Sequence, residues 1–268
     1  MTEWHKTFES VLTIGGSDSS GGAGIQADLK TFNRLGIHGA SVITCVTAQN
    51  SQGVSHIEAI SCDLIRHQMR AVLSDLSVKA LKTGMLFSVE IIDEIAGFLV
   101  DFPGFKIIDP VMVSRAGSIL LGEEDISCYK KLLFPLASLI TPNIYEASLL
   151  TDCSISTPAD VEQVASKLLD YGVEAVLVKG GGLQAIAGQD YFLTSQGVGT
   201  WHVSQFLPTP HTHGTGCTLS AAITALLARG ATWSDAIADS KHYVSEALLH
   251  SAPFGKGPGC VCHFSSGL

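Results

Sequence analysis

Short apolar runs recur along the first two thirds of the chain, at residues 11–14, 40–46, 78–81, 106–108, 139–140 and 175–178. Runs this brief and this uniformly apolar predict strands buried on both faces. Between most of them the apolar residues return every three or four positions, at about 62–76, 89–99, 123–133 and 159–171, the spacing of helices. Residues 23–35 read as a further helix closed by Gly36. Strands alternating with helices predict a mainly parallel sheet covered on both faces. A weaker pair, 190–193 and 200–203, split by the polar, glycine-containing residues 195–199, predicts a hairpin at the sheet's edge. Near the end, residues 218–229 form a mostly apolar run. Leu219, Ala222, Ile223, Leu226 and Leu227 share one helical face, and Gly230 supplies the stop.

Composition narrows this picture. The 268 residues suit one α/β domain covering 1–268, with a core from about 11 to 257. A hydrophobic content of 46% with 15% charged residues and 27 glycines describes a globular protein with many tight loops. The net charge of −9 and the lack of any Lys/Arg run exclude nucleic acid and acidic membrane surfaces as partners. Seven irregularly spaced cysteines and no signal peptide predict free thiols in a reducing compartment, the cytoplasm. No apolar run reaches membrane-spanning length.

The polar groups just beyond the strands carry the chemistry. They are Asp18, then Gln49 and Asn50, then Lys82-Thr-Gly-Met85, then Asp109-Pro110, then Thr141-Pro-Asn143 with Glu146, and then Lys179-Gly-Gly181. Parallel sheets bind ligands outside the carboxyl ends of their strands, so one edge should gather all of these. Singly, each has an ordinary reading as a turn or cap residue. The fragment Gly22-Ala-Gly-Ile-Gln-Ala27 imitates a dinucleotide fingerprint, but a long loop separates it from its strand and the expected acidic residue is missing. No Walker pattern exists either.

His211-Thr-His-Gly-Thr-Gly-Cys217 precedes the last apolar helix. Helix-start amides lack partners within the helix, and glycine lets an anion approach them closely, so Gly214, Thr215 and Gly216 form an anion cradle. Cys217 falls in the first turn, where the helix dipole is expected to lower a thiol's pKa. Asp109 and Glu146 are the carboxylates to offer magnesium, and Lys179 suits a nucleotide phosphate. Phosphoryl transfer uses every one of these parts. A cysteine-nucleophile hydrolase built on Cys217 with His211 or His213 is the reading from another class.

Taken together, Gly16-Ser-Asp-Ser-Ser-Gly-Gly-Ala-Gly-Ile-Gln-Ala-Asp-Leu-Lys30, Thr47-Ala-Gln-Asn50, Lys82-Thr-Gly-Met-Leu86, Asp109-Pro-Val-Met112, Thr141-Pro-Asn143 with Glu146, Lys179-Gly-Gly181 and Thr212-His-Gly-Thr-Gly-Cys-Thr-Leu-Ser220 resemble a known family. It is that of the hydroxymethylpyrimidine/phosphomethylpyrimidine kinases of thiamine synthesis, in the ribokinase-like superfamily. The resemblance implies a three-layer α/β/α fold, a homodimer, and Mg-ATP as phosphoryl donor. The implied substrate is the small pyrimidine 4-amino-5-hydroxymethyl-2-methylpyrimidine, phosphorylated to its monophosphate and then to the diphosphate. The family's pyrimidine pocket maps onto Ala23, Asp28, Gln49, Met85 and Val111. Gln49 is expected to bond the ring's polar edge and Met85 to pack on its face. Gly214, Thr215 and Gly216 match the anion hole, and Cys217 stands in the place of the catalytic base. Lys179, Asn143 and Thr212 fall on the nucleotide side.

The chain departs from the pattern at Gly182 and His211, where relatives often carry His and Asn, and in the tail Gly257-Pro-Gly-Cys-Val-Cys-His263. The Cys260, Cys262 and His263 cluster lacks a second ligand pair and reads as an incidental tail. A pyridoxal or pyridoxine kinase is the near alternative. Dedicated members carry a further lid cysteine after Asp-Pro-Val-Met, where this chain has Val113-Ser-Arg-Ala-Gly117. A pyrimidine-sensing relative without activity is the third reading, and no basic extension supports it.

Overall fold

The computed structural model describes residues 9–112 and 123–264. The strands are β1 (Ser10–Ser17), β2 (His38–Asn50), β3 (Gly53–Ala59), β4 (Val78–Thr83), β5 (Phe105–Ile108), β6 (Leu139–Ile140), β7 (Ala175–Lys179), β8 (Gln189–Thr194) and β9 (Gly199–Val203). The helices are α1 (Gly24–Arg34), α2 (Cys62–Asp75), α3 (Val89–Val100), α4 (Glu123–Cys128), α5 (Ile144–Thr151), α6 (Pro158–Leu169), α7 (Thr215–Ala228) and α8 (Trp233–Leu249). The strands join one nine-stranded sheet in the order β3-β2-β1-β4-β5-β6-β7-β8-β9. The six central strands β2, β1, β4, β5, β6 and β7 run parallel, while β3 at one edge and β8 near the other run opposite to them, and β9 pairs antiparallel with β8.

Alternation along the strands builds the layers. Leu12, Ile14, Ile108, Ile140, Val176 and Val178 face a core with Ile65 and Met69 of α2, Ile91, Ile92 and Ile95 of α3, Leu150 of α5, and Val161 and Leu168 of α6. Their neighbours Ile107, Leu139, Ala175 and Leu177 face Leu219, Ile223 and Leu227 of α7 and Ile237 and Val244 of α8. Val11 and Ala80 complete that second face against Phe32 of α1 and Ala221 and Ala225 of α7. The result is the expected three-layer α/β/α arrangement with a mainly parallel sheet. Helix α7 is buried nearly all round, not only along the face its spacing suggests, because α1, α8 and the sheet surround it.

Three elements have no counterpart in the apolar pattern: β3, α5 and α8. Strand β3 is an edge strand whose residues are all partly or fully exposed, so it has no buried face to write into the sequence. Helix α8 carries the buried polar residues Ser240 and Lys241 amid a sparse apolar stripe. The glycine-serine segment after β1 is also shorter than expected, since the strand runs on through Ser17. Because the central strands are parallel, all their carboxyl ends open on one edge of the sheet.

Candidate active site

Two adjoining cavities lie at that edge. The first, of about 290 Å³, is lined by every residue assigned above to catalysis, the pyrimidine, the nucleotide or the metal: Ala23, Asp28, Gln49, Met85, Asp109, Val111, Asn143, Glu146, Lys179, Thr212, Gly214, Thr215, Gly216 and Cys217; Asn50, Thr141 and His211 do not line it. The second, of about 360 Å³, runs between the β7 to β9 edge and α8. Asn143, Lys179, Thr212, Thr215 and Gly216 belong to both, so the cavities meet at the start of α7.

Gly214 caps α7 at φ 84°, and a side chain there would run into the carbonyl oxygen of Gly22. Only glycine fits both the conformation and the space. The Thr215 amide turns back to Thr212 O at 3.2 Å. The next amides of the first turn have no intrahelical acceptor, which is the property of an anion cradle.

Two buried ion pairs flank the cradle. Lys82 Nζ donates to Asp28 Oδ1 at 2.8 Å, while Thr13 Oγ1 donates to Asp28 Oδ2 at 2.6 Å. Burial would lower the Lys82 pKa, but Asp28, Cys217 and Asp109 outweigh it and keep the ammonium charged. Both Asp28 oxygens are therefore engaged, one by Lys82 and one by Thr13. Lys179 Nζ donates to Asp109 Oδ1 at 2.9 Å. Thr141 and Ser220 donate to Asp109 as well, each at 3.0 Å. The Lys179 ammonium also comes within 3.4 Å of where a Cβ on Gly216 would stand, so it adjoins the cradle itself.

Glu146 and Asn143 form the capping box of α5: Glu146 Oε2 accepts from Asn143 N at 2.8 Å, and Asn143 Oδ1 accepts from Glu146 N at 2.9 Å. Burial pushes the Glu146 carboxyl up to about 7, with Lys179 opposing and the Asp109 charge adding to the rise. Two hard carboxylates on one wall, one of them short of compensating positive charge, form a donor set that fits a magnesium ion. Among the described residues no cluster of three or more His, Cys, Asp or Glu could hold a metal. Magnesium, which keeps waters and leans on substrate phosphates, does not need one.

Cys217 lines the first cavity, but the expected depression of its thiol is not what its surroundings produce. Burial pushes it up to about 11, against the pull of the Lys82 ammonium and the Gly24 amide. Neither histidine of the preceding loop bonds to it. His211 Nδ1 accepts from Gly259 N at 2.8 Å, and His213 Nε2 lies 2.8 Å from Asp18 Oδ2. The hydrolase reading thus lacks its cysteine–histidine pair.

Several wall residues gave little or no advance signal. Val54 and Ile57 reach the first cavity from the unforeseen β3. Lys241 of α8 lines the second and donates to Asp190 Oδ2 at 2.5 Å, while Asp190 Oδ1 accepts from Gly180 N at 2.9 Å. The tail is not incidental. His213 N donates to Gly259 O at 3.3 Å, Val261 N donates to His213 O at 3.1 Å, and Thr218 Oγ1 meets His263 Nε2 at 2.9 Å. All seven cysteines, the tail's pair included, are free. Residues 113–117, where a lid cysteine is missing from the sequence, lie outside the described residues. Among the described residues no helix is long and apolar enough to cross a membrane.

A family model described as phosphomethylpyrimidine kinase matches residues 18–262. A hydroxymethylpyrimidine/phosphomethylpyrimidine kinase of Synechococcus elongatus is 47% identical over 256 residues, 94% of this chain and 96% of its own. The thiamine biosynthesis bifunctional protein of Geobacter sulfurreducens is 45% identical over 95% of this chain and 52% of its own length. In three dimensions the chain is similar to an ADP complex of Bacillus subtilis pyridoxal kinase, with a TM-score of 0.89 and 36% identity over 96% of this chain and 98% of that one.

Proposed function

The chain belongs to the phosphomethylpyrimidine kinase family, and from that premise we propose how its two cavities share one reaction. It is a phosphotransferase of thiamine biosynthesis that uses ATP. It phosphorylates 4-amino-5-hydroxymethyl-2-methylpyrimidine, then the monophosphate. The second cavity takes the nucleotide and the first takes the pyrimidine. The observation that carries this division is the wall they share, where the α7 amides and Lys179 face both sides. A transferring phosphoryl group must pass between donor and acceptor, and this is where fixed positive charge stands.

In the first step the substrate's hydroxyl oxygen bonds to the γ-phosphorus as the bond to the β,γ-bridging oxygen breaks. The hydroxyl proton passes to Cys217 in its thiolate form. Burial makes that form scarce at neutral pH, and Lys82 and the Gly24 amide favour it. In the second step the attacking atom is a phosphate oxygen already ionised above its second pKa of about 6, so no base is needed. Ala23, Met85, Val111, Val54 and Ile57 supply the apolar walls for the ring, and Gln49 its polar contact. Asp109 and Glu146 would hold Mg2+, whose contribution is to neutralise phosphate charge; Thr212 and Asn143 border the nucleotide.

The reading takes residues 1–268 as one kinase domain, and the free thiols suit the cytoplasm. The homodimer implied by the family is tested by sedimentation. Phosphorus NMR of the products tests the function itself: the phosphate must appear on the hydroxymethyl oxygen and then extend to a diphosphate. The likeness to a pyridoxal kinase favours pyridoxal as the second candidate acceptor.

A further inference from the structure

Gln49 and His213, 164 residues apart, meet on the wall of the first cavity, with the amide atom placed as Gln49 Nε2 lying 3.3 Å from His213 Nε2. The same Nε2 lies 2.8 Å from Asp18 Oδ2. Burial tends to raise the Asp18 pKa, but hydrogen bonds from His213 and Ser20 hold it down at about 2. Asp18 is therefore an ionised acceptor with no hydrogen to give, and the hydrogen between them sits on Nε2. An N–H cannot accept, so the Gln49 atom facing it must be the carbonyl oxygen. Such an amide reverses by a half-turn that leaves its heavy atoms in place. Its –NH2 then points away from His213, and the other amide position has no hydrogen-bond partner among the described residues.

Asp18 cannot easily turn aside. Its Oδ1 accepts from Ser20 N at 2.8 Å and Ser20 Oγ at 2.7 Å, and its Oδ2 accepts from Ala23 N at 2.8 Å. The chain of constraint runs from the loop after β1, through the imidazole, to the amide.

We propose that His213, held by Asp18, is a positioning residue that fixes the Gln49 amide so that the cavity takes a 4-aminopyrimidine and refuses its 4-oxo counterpart. The inference rests on the reading of the first cavity as the pyrimidine site. A 4-aminopyrimidine offers a ring nitrogen that accepts and an exocyclic amine that donates. The fixed amide matches both, donating through –NH2 and accepting on the second lone pair of its carbonyl oxygen. The 4-oxo compound reverses the edge, with a ring N–H beside a carbonyl oxygen. Donor then faces donor and acceptor faces acceptor. Only a free amide could turn to suit it.

The test compares kcat/KM for 4-amino-5-hydroxymethyl-2-methylpyrimidine and its 4-oxo analogue. The wild type should favour the amino compound by about 100-fold, the scale of a two-point hydrogen-bond match against a mismatch. In His213→Phe the ratio should fall at least about tenfold, because the amide is released. His213→Gln, whose own amide can donate from the same place, should restore it. If His213→Phe lowers both substrates by one factor, or the wild type uses both equally, the proposal is overturned. Turnover of neither compound by the wild type would instead bring down the pyrimidine reading of the cavity, and this inference with it. Nitrogen NMR of the unsubstituted protein judges the amide's role without any variant. A hydrogen on His213 Nε2 at neutral pH supports it, and a bare Nε2 overturns it.

Discussion

Lys179, on the wall between the two cavities, and Asp109, on the wall of the first, lie 70 residues apart and form an ion pair at 2.9 Å. The Asp109 side chain is 2% exposed, so removing its partner would strand a buried charge. Lys179→Ala should therefore cost about 3 kcal/mol of stability, read by urea denaturation. It should also abolish most activity, since the ammonium adjoins the cradle. The double variant Lys179→Met with Asp109→Asn should regain stability without regaining activity. Recovery of both would show that the pair serves folding alone.

Cys217→Ala separates the two phosphorylations. Loss of a general base is worth about a hundredfold to ten-thousandfold, and only the first step asks for one. The first step should fall by about that much, and the second by far less. In the wild type, kcat/KM of the first step should climb with pH toward 11, where the thiolate becomes the main form. Identical pH profiles for the two steps would remove Cys217 from the role of base.

Gly214→Ala should lower kcat at least about a hundredfold, the effect of losing an aligned oxyanion donor. The added methyl meets the Gly22 carbonyl and the backbone is held at φ 84°, so the amides of the cradle must move. Circular dichroism should show a folded protein with a lower Tm. Full activity in this variant would mean that the α7 start does not touch the transferring group.

The tail should report on pH through His263. Burial first, and the Lys30 charge second, depress its pKa from 6.5 to about 4. Below 6.5 the unfolded chain takes up a proton that the folded one refuses, so stability should drop as pH falls from 6.5 to about 4 and then level off with respect to this group. His263→Phe should flatten that part of the stability curve. An unchanged slope in the variant would place the titration elsewhere.

The sequence declared the fold's centre more openly than its margins. Apart from β2, which runs on from His38 through Asn50 with a half-exposed face, each parallel strand holds a short apolar run ended by glycine, proline or a polar residue, so most of the ends that build the site could be read in order. Strand β3 could not, since an exposed edge strand imposes no pattern. Nor could α8, whose inward face includes Ser240 and Lys241. The residue types at the site were legible, but their partnerships were not. Lys82 finds Asp28 across 54 residues and His213 finds Asp18 across 195, pairings that only the parallel topology brings about. The thiol of Cys217 shows the same limit. Position in a helix's first turn can be read from sequence, whereas the burial that reverses its expected shift belongs to the packing of α1 and the sheet around it.

ADP release, followed with hydroxymethylpyrimidine, its monophosphate and pyridoxal side by side, bears most directly on transfer across the shared wall into a pyrimidine pocket. Both pyrimidines should turn over with a kcat/KM well above that for pyridoxal. A higher value for pyridoxal than for either pyrimidine would contradict this reading.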